Sequence, residues 1–123
     1  MSGYDEIDQE MLDSLTFVMG EKFTHIVDLF EEEGGKYIRA MNEAFDNGDA
    51  EVIRDSAHTI KSSSANYGLK LVNRIALSME MEMRQCIDAD QSWAHVRDFM
   101  PSLEQAFAQG MSFLKSHENY VVS

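Results

Sequence analysis

The chain has 123 residues, which leaves room for one domain and not two, and its 44% hydrophobic residues are enough for one buried core. Ten Lys and Arg residues against 22 Asp and Glu residues give a formal charge of -12, so nucleic-acid phosphates would meet net repulsion. The single cysteine, Cys86, excludes an internal disulfide and a zinc site built on cysteines.

From the sequence we expect neither a membrane span nor a secretory signal. No segment approaches the roughly 20 uninterrupted apolar residues of a membrane span. Residues 1–10 are polar and acidic, whereas a secretory signal would be basic and then apolar. We therefore expect one cytoplasmic domain over residues 1–123.

The first half of the chain predicts two helices, because apolar residues recur there at three- and four-residue steps. A short helix is indicated over residues 11–19, and Gly20 can close it. A longer stripe covers residues 23–45 and ends at the Asn-Gly pair 47–48, a good C-terminal signal. The glycine pair 34–35 inside this helix indicates either close helix packing or a local break.

The second half predicts three more helices. Asp49 is a good N-cap for the first of them, which Gly68 ends. The next covers about residues 72–87, and the last about residues 93–117, where Pro101 should kink the helix or mark a restart. Short connectors favour antiparallel neighbours, so we expect an all-α fold: an up-and-down four-helix bundle with an additional short N-terminal helix.

The chain has four histidines, and their helical positions separate them. We interpret His25, His95 and His117 as solvated side chains among ordinary surface residues. His58 differs because its neighbours within roughly 60° on the helix are polar or small, while the apolar stripe lies on the opposite side. Those neighbours are Glu51, Arg54, Asp55, Lys61, Ser62 and Ala65.

This exposed face suits the transfer of a phosphoryl group. A neutral imidazole is a nucleophile, and it leaves readily once phosphorylated. Arg54 and Lys61 flank His58, and a nearby cation offsets the charge on the oxygens of the transferred group. Ser62 and Ala65 are short, so a partner could approach the ring closely.

The run AHTIKSSSANYG at residues 57–68 resembles the signature of histidine phosphotransfer (HPt) domains: Ala-His, an apolar residue, Lys, small residues and a glycine. The similarity extends over roughly residues 7–117. It includes Gly20, Phe30, Ala44 and the Gly48-Asp49 pair before the signature, and Val72, Ala76, Met79 and Glu80 after it.

The resemblance implies a phosphocarrier, with His58 phosphorylated and Lys61 as its electrostatic support. Arg54, which shares the face of His58, is a second candidate for support. It also implies the partners, which are the receiver domain of a hybrid histidine kinase and that of a response regulator. The family usually has Gly directly after the Lys, where this chain has a serine, also a small residue. A partner-docking face would include Asp55, Ser62 and Ala65.

The sequence contains no Gly-rich nucleotide loop, Walker pattern or kinase signature, so we expect a carrier and not an enzyme that takes phosphate from ATP. No cofactor or metal site is expected in this chain, and any Mg²⁺ should belong to the receiver domain. A monomer is expected, since one face must stay free for receivers. The alternative is a non-catalytic helical-bundle interaction module in which His58 is incidental.

Overall fold

The computed structural model describes residues 7–122. This part of the chain forms the helices α1 (Gln9–Met19), α2 (Phe23–Asn47), α3 (Ala50–Asn66), α4 (Lys70–Asp88) and α5 (Met100–Lys115). Two 3-10 helices, Gly20–Lys22 and Ala94–Phe99, precede α2 and α5. Within the described residues the only extended pairing is an isolated bridge between Ile7 and Leu69. The expected all-α fold class is confirmed.

The helix ends follow local sequence signals. The side chains of Asp8 and Asp49 accept hydrogen bonds from the backbone N–H groups of Met11 and Val52, so each aspartate caps the helix it begins. Gly48 ends α2 in the left-handed conformation, with φ of 76°, which costs glycine little. The predicted N-cap of α3 and the predicted end of α2 are confirmed.

The fifth helix differs from its prediction. Residues Ala94–Phe99 form a 3-10 helix and α5 begins only at Met100, so the helix expected from residue 93 is wrong over its first part. Pro101 lies in the first turn of α5, where its missing N–H has no intrahelical partner to lose. The proline therefore marks a restart, which was one of the two expectations for it.

Helices α2 to α5 form a four-helix bundle. Each contacts the next in chain order and α5 returns to α2, while α1 packs against α2 and α3. The predicted bundle with an additional N-terminal helix is confirmed. No helix within residues 7–122 is both long enough and apolar enough to cross a membrane. The core includes the fully buried side chains of Leu12, Phe23, Ile60, Met79 and Leu103.

The glycine pair 34–35 lies inside an unbroken α2, so close packing is the correct alternative. Gly34 is buried, and a Cβ atom there would overlap the ring of Phe107 on α5. That ring also lies 5.5 Å from the ring of Phe30, between centroids. Gly34 thus allows the side chain of Phe107 to pack directly on the backbone of α2.

Candidate functional site

His58 lies on α3 with its side chain 53% exposed and its ring directed to a carboxylate on α4. The Nδ1 atom is 2.6 Å from Oε2 of Glu80, whose side chain is only 4% exposed. An ionised carboxylate can only accept hydrogen bonds, so Nδ1 holds the ring proton and donates it. The lone pair of the neutral ring is therefore on Nε2.

Glu80 has two further donors. Lys61 Nζ donates to Oε1 and Arg84 Nη2 donates to Oε2, each at 2.9 Å. Burial on its own would raise the pKa of Glu80, but the hydrogen bonds from Lys61, His58 and Arg84 outweigh it and lower the pKa from 4.5 to about 2. The carboxylate is therefore charged at neutral pH, and both of its oxygens have partners.

The turn between α3 and α4 brings these side chains together. Gly68 adopts a positive φ of 72° there, and a Cβ atom on it would lie 2.6 Å from the backbone oxygen of Asp8. The two helices then run antiparallel, side by side. His58 and Glu80 are 22 residues apart and equally far along the chain from Leu69 in the turn, so they come to lie opposite each other. The Asn73 side chain also joins the helices, by donating to the backbone oxygen of Lys61 at 2.7 Å.

The structure places Lys61 beside Glu80 and His58, whereas Arg54 forms a different pair. The Nε atom of Arg54 lies 3.2 Å from Oδ1 of Asp55, the adjacent residue. The three side chains expected on a docking face are all exposed on α3. They are Asp55, Ser62 and Ala65.

Sequence reasoning assigned no role in the site to Glu80 or Arg84. Glu80 entered only as part of the family pattern, and Arg84 did not enter at all. One signal was available: Glu80 is a charged residue in the apolar stripe of α4 between Ala76 and Met83, both fully buried, and Arg84 follows it at i+4. A charge in such a stripe needs partners.

The structure changes the interpretation of His117 and gives the exposed His95 a partner. The Nε2 atom of His95 lies 2.9 Å from Oε1 of Glu82 on α4. His117 is partly buried, and its ring centroid is 5.3 Å from that of Phe23, so its interpretation as a solvated side chain is wrong. Both contacts join segments that are distant in sequence. His25 is exposed, as expected.

Comparison with known proteins identifies the family. The family model of the Hpt domain matches residues 25–112, from α2 into α5. The crystal structure of histidine-containing phosphotransfer protein B from Pseudomonas aeruginosa is similar in fold, with a TM-score of 0.80 and 24% identity over 89% of this chain and 91% of that chain. No curated protein matches the sequence significantly. Because the family model matches more than half of the sequence, the chain belongs to the Hpt domain family.

Proposed function

We propose that this protein is a phosphorelay carrier. His58 accepts a phosphoryl group from a receiver-domain aspartate of a hybrid sensor kinase and passes it to the receiver domain of a response regulator. The observation that supports this most is the 2.6 Å hydrogen bond from His58 Nδ1 to the buried carboxylate of Glu80. Membership of the Hpt family supports the class of reaction.

The hydrogen bond from Nδ1 leaves the lone pair on Nε2, which supports Nε2 as the nucleophile. In the forward step the Nε2 lone pair attacks phosphorus, the N–P bond forms, and the P–O bond to the donor aspartate breaks, with that aspartate leaving as a carboxylate. Nδ1 keeps its proton, so the ring becomes positive, and the charge of Glu80 stabilises it. In the second step an aspartate oxygen of the acceptor attacks phosphorus and the N–P electrons return to Nε2.

Lys61 and Arg84 offset the negative charge that approaches the ring. Both bind Glu80, and two cations against one carboxylate leave a local positive charge. Such a charge stabilises the oxygens of the phosphoryl group during transfer. Arg54 is the weaker candidate for this role, because Asp55 lies 3.2 Å from it and neutralises its charge.

The receiver domains would dock over the exposed face of α3 around His58. The short side chains of Ser62 and Ala65 leave room there, and the carboxylate of Asp55 lies beside them. The carrier acts in this proposal as a cytoplasmic monomer without a cofactor of its own, and the receiver supplies any Mg²⁺ needed for the chemistry at its aspartate.

The test is a transfer assay with phosphorylated receiver domains from the source organism. We expect acid-labile label on the wild-type protein within seconds to minutes, none on His58→Gln, and wild-type labelling of His25→Gln, which changes an exposed histidine on α2. Nitrogen NMR of the labelled protein should place phosphorus on Nε2. A folded wild-type protein that takes label from no receiver would overturn the proposal and leave the interaction module, whose partner binding would survive in His58→Gln.

A further inference from the structure

Three potential metal ligands converge on the side of α4 away from His58. Glu82 and Cys86 are one turn apart on α4, and Glu82 lies about 200° around the helix from Glu80. His95 comes from the 3-10 helix Ala94–Phe99, which packs against α4. Oε1 of Glu82 is 2.9 Å from Nε2 of His95 and 3.8 Å from Sγ of Cys86, and all three ligand atoms lie within 4.8 Å of one another.

These separations suit a small tetrahedral ion. Zn²⁺ binds sulfur, nitrogen and oxygen ligands at roughly 2.0 to 2.3 Å, which places neighbouring ligand atoms about 3.3 to 3.8 Å apart. Small side-chain rotations would bring the three atoms into that range. The donor set is also selective, because Mg²⁺ and Ca²⁺ prefer oxygen alone, whereas a thiolate with an imidazole favours Zn²⁺ and similar transition metals.

The burial of the three side chains leaves the cluster open on one side. Cys86 is 3% exposed and lies at the base, while the side chains of Glu82 and His95 are 40% and 52% exposed and form the rim. An ion can therefore enter from solvent and keep a water molecule as a fourth ligand. The formal charge of -12 on the chain also favours a cation.

We propose that Glu82, Cys86 and His95 bind one divalent transition-metal ion of the zinc class. The thiol of Cys86 releases its proton to solvent when its sulfur coordinates the ion, and His95 binds through the unprotonated Nε2. The ion joins the 3-10 helix to α4. The sequence analysis expected no metal site, because His95 comes next to Glu82 and Cys86 only in the fold. The single cysteine excludes sites built on several cysteines, and this site needs only one.

Cobalt is the probe for the first experiment, because Co²⁺ substitutes for Zn²⁺ and absorbs light when bound to a thiolate. The full chain, free of any affinity tag, reduced and stripped with EDTA, is titrated with Co²⁺. We expect one equivalent to produce a thiolate-to-cobalt band in the near ultraviolet, and Zn²⁺ to displace it. Cys86→Ser should abolish the band. His95→Gln should weaken binding at least about tenfold, and His25→Gln should leave it unchanged.

Thermal unfolding provides the second measurement. Zn²⁺ should raise the melting temperature of the wild-type protein and of His25→Gln, raise that of His95→Gln less at the same concentration, and leave that of Cys86→Ser unchanged. His95→Gln changes an exposed residue, so it keeps the test valid if Cys86→Ser fails to fold. Absence of the cobalt band in the wild-type protein, or an equal affinity in His95→Gln, would overturn the proposal. Neither readout depends on phosphotransfer.

Discussion

Glu80 holds a full negative charge inside the bundle, and this is possible only because three donors surround it. An unpaired buried carboxylate would cost several kcal/mol. Here both carboxylate oxygens accept hydrogen bonds, which come from His58, Lys61 and Arg84. The same residue therefore does two things: it orients the ring of His58, and it makes the stability of the fold depend on pH.

The pKa of Glu80 predicts the sign and the pH range of that dependence. Because folding lowers this pKa from 4.5 to about 2, the charged carboxylate stabilises the folded state above pH 4.5, and this stabilisation is lost as the pH falls toward 2. The full shift corresponds to about 3 kcal/mol, of which about 2 kcal/mol is lost by pH 3.

Urea unfolding of the wild-type protein and Glu80→Gln at pH 7 and pH 3 measures this effect. The difference in unfolding free energy between the two proteins should shrink by about 2 kcal/mol at pH 3. Taking the difference cancels the titration of the other carboxyl groups. A difference that does not change with pH would show that Glu80 is not held ionised by its partners.

The three cations near His58 should differ in their effect on phosphotransfer. The side chain of Lys61 is 25% exposed and donates a hydrogen bond to Oε1 of Glu80. The side chain of Arg84 is 59% exposed, and Arg54 forms its ion pair with Asp55 instead. We expect Lys61→Ala to slow transfer about tenfold or more, which is about 1.4 kcal/mol in the barrier. Arg84→Ala should slow it a few-fold, and Arg54→Ala should have little effect.

Single-turnover transfer from one phosphorylated receiver, with His58→Gln as the blank, gives these rates. Arg39→Ala, a change at an exposed arginine on α2, is the matched control for loss of a surface cation. If Lys61→Ala transfers phosphate at the wild-type rate, the electrostatic role proposed for Lys61 is incorrect.

At the scale of the element, one face of α3 has to remain open for a receiver domain. Ser62 lies one turn beyond His58 and is exposed. We expect Ser62→Trp to block docking and to reduce the rate of transfer at least about tenfold without loss of stability, because the new side chain stays in solvent. Circular dichroism and the transfer assay check the two halves of this prediction.

Ser102→Trp is the control for the α3 face, since Ser102 is also exposed and lies on α5, the helix diagonally across the bundle. It should transfer phosphate as the wild-type protein does. If both tryptophan variants transferred phosphate equally slowly, the slower transfer would not be due to a blocked α3 face.

The contact between α2 and α5 depends on the absence of a side chain at Gly34. Gly34→Ala would raise the helix propensity of α2 by about 1 kcal/mol, but its methyl group would overlap the Phe107 ring. Overpacking of this kind costs about 1 to 3 kcal/mol. We therefore expect net destabilisation in urea unfolding, whereas Gly35→Ala, at a site without such a neighbour, should be neutral or stabilising.

The elements show what sequence can predict and where it stops. Capping by Asp49, the left-handed Gly48 and the apolar stripes are local signals, so the helices they define were predicted correctly. The 3-10 helix Ala94–Phe99 depends on packing against α4, and the partnership of His58 with Glu80 depends on the turn at Gly68 that pairs α3 with α4. Such contacts join residues that are far apart in sequence, and periodicity within one helix contains no information about them.

For the whole molecule, the main electrostatic feature outside the core is the excess of acidic residues. With ten basic and 22 acidic residues, pairing every cation would still leave twelve carboxylates unpaired. Two of the longest-range ion pairs nevertheless link the last third of the chain to α2, from Lys115 to Glu31 and from Arg97 to Asp46, each at 2.7 Å. These ion pairs thus attract the last third of the chain to α2, while the excess of carboxylates elsewhere on the protein repels itself.

This charge balance predicts that salt stabilises the fold. Raising NaCl from about 10 to 150 mM shortens the screening length from roughly 30 to 8 Å, which weakens the long-range repulsion more than the close pairs and hardly affects the buried charge of Glu80. We expect a gain on the order of 1 kcal/mol, or roughly 4 °C in melting temperature, measured in EDTA. Near pH 4.5, the approximate pI expected from the sequence, the net charge is close to zero while Glu80 stays ionised, so the response to salt should disappear there. If added NaCl did not change the melting temperature at pH 7, or raised it as much at pH 4.5 as at pH 7, net charge would not limit the stability of this bundle.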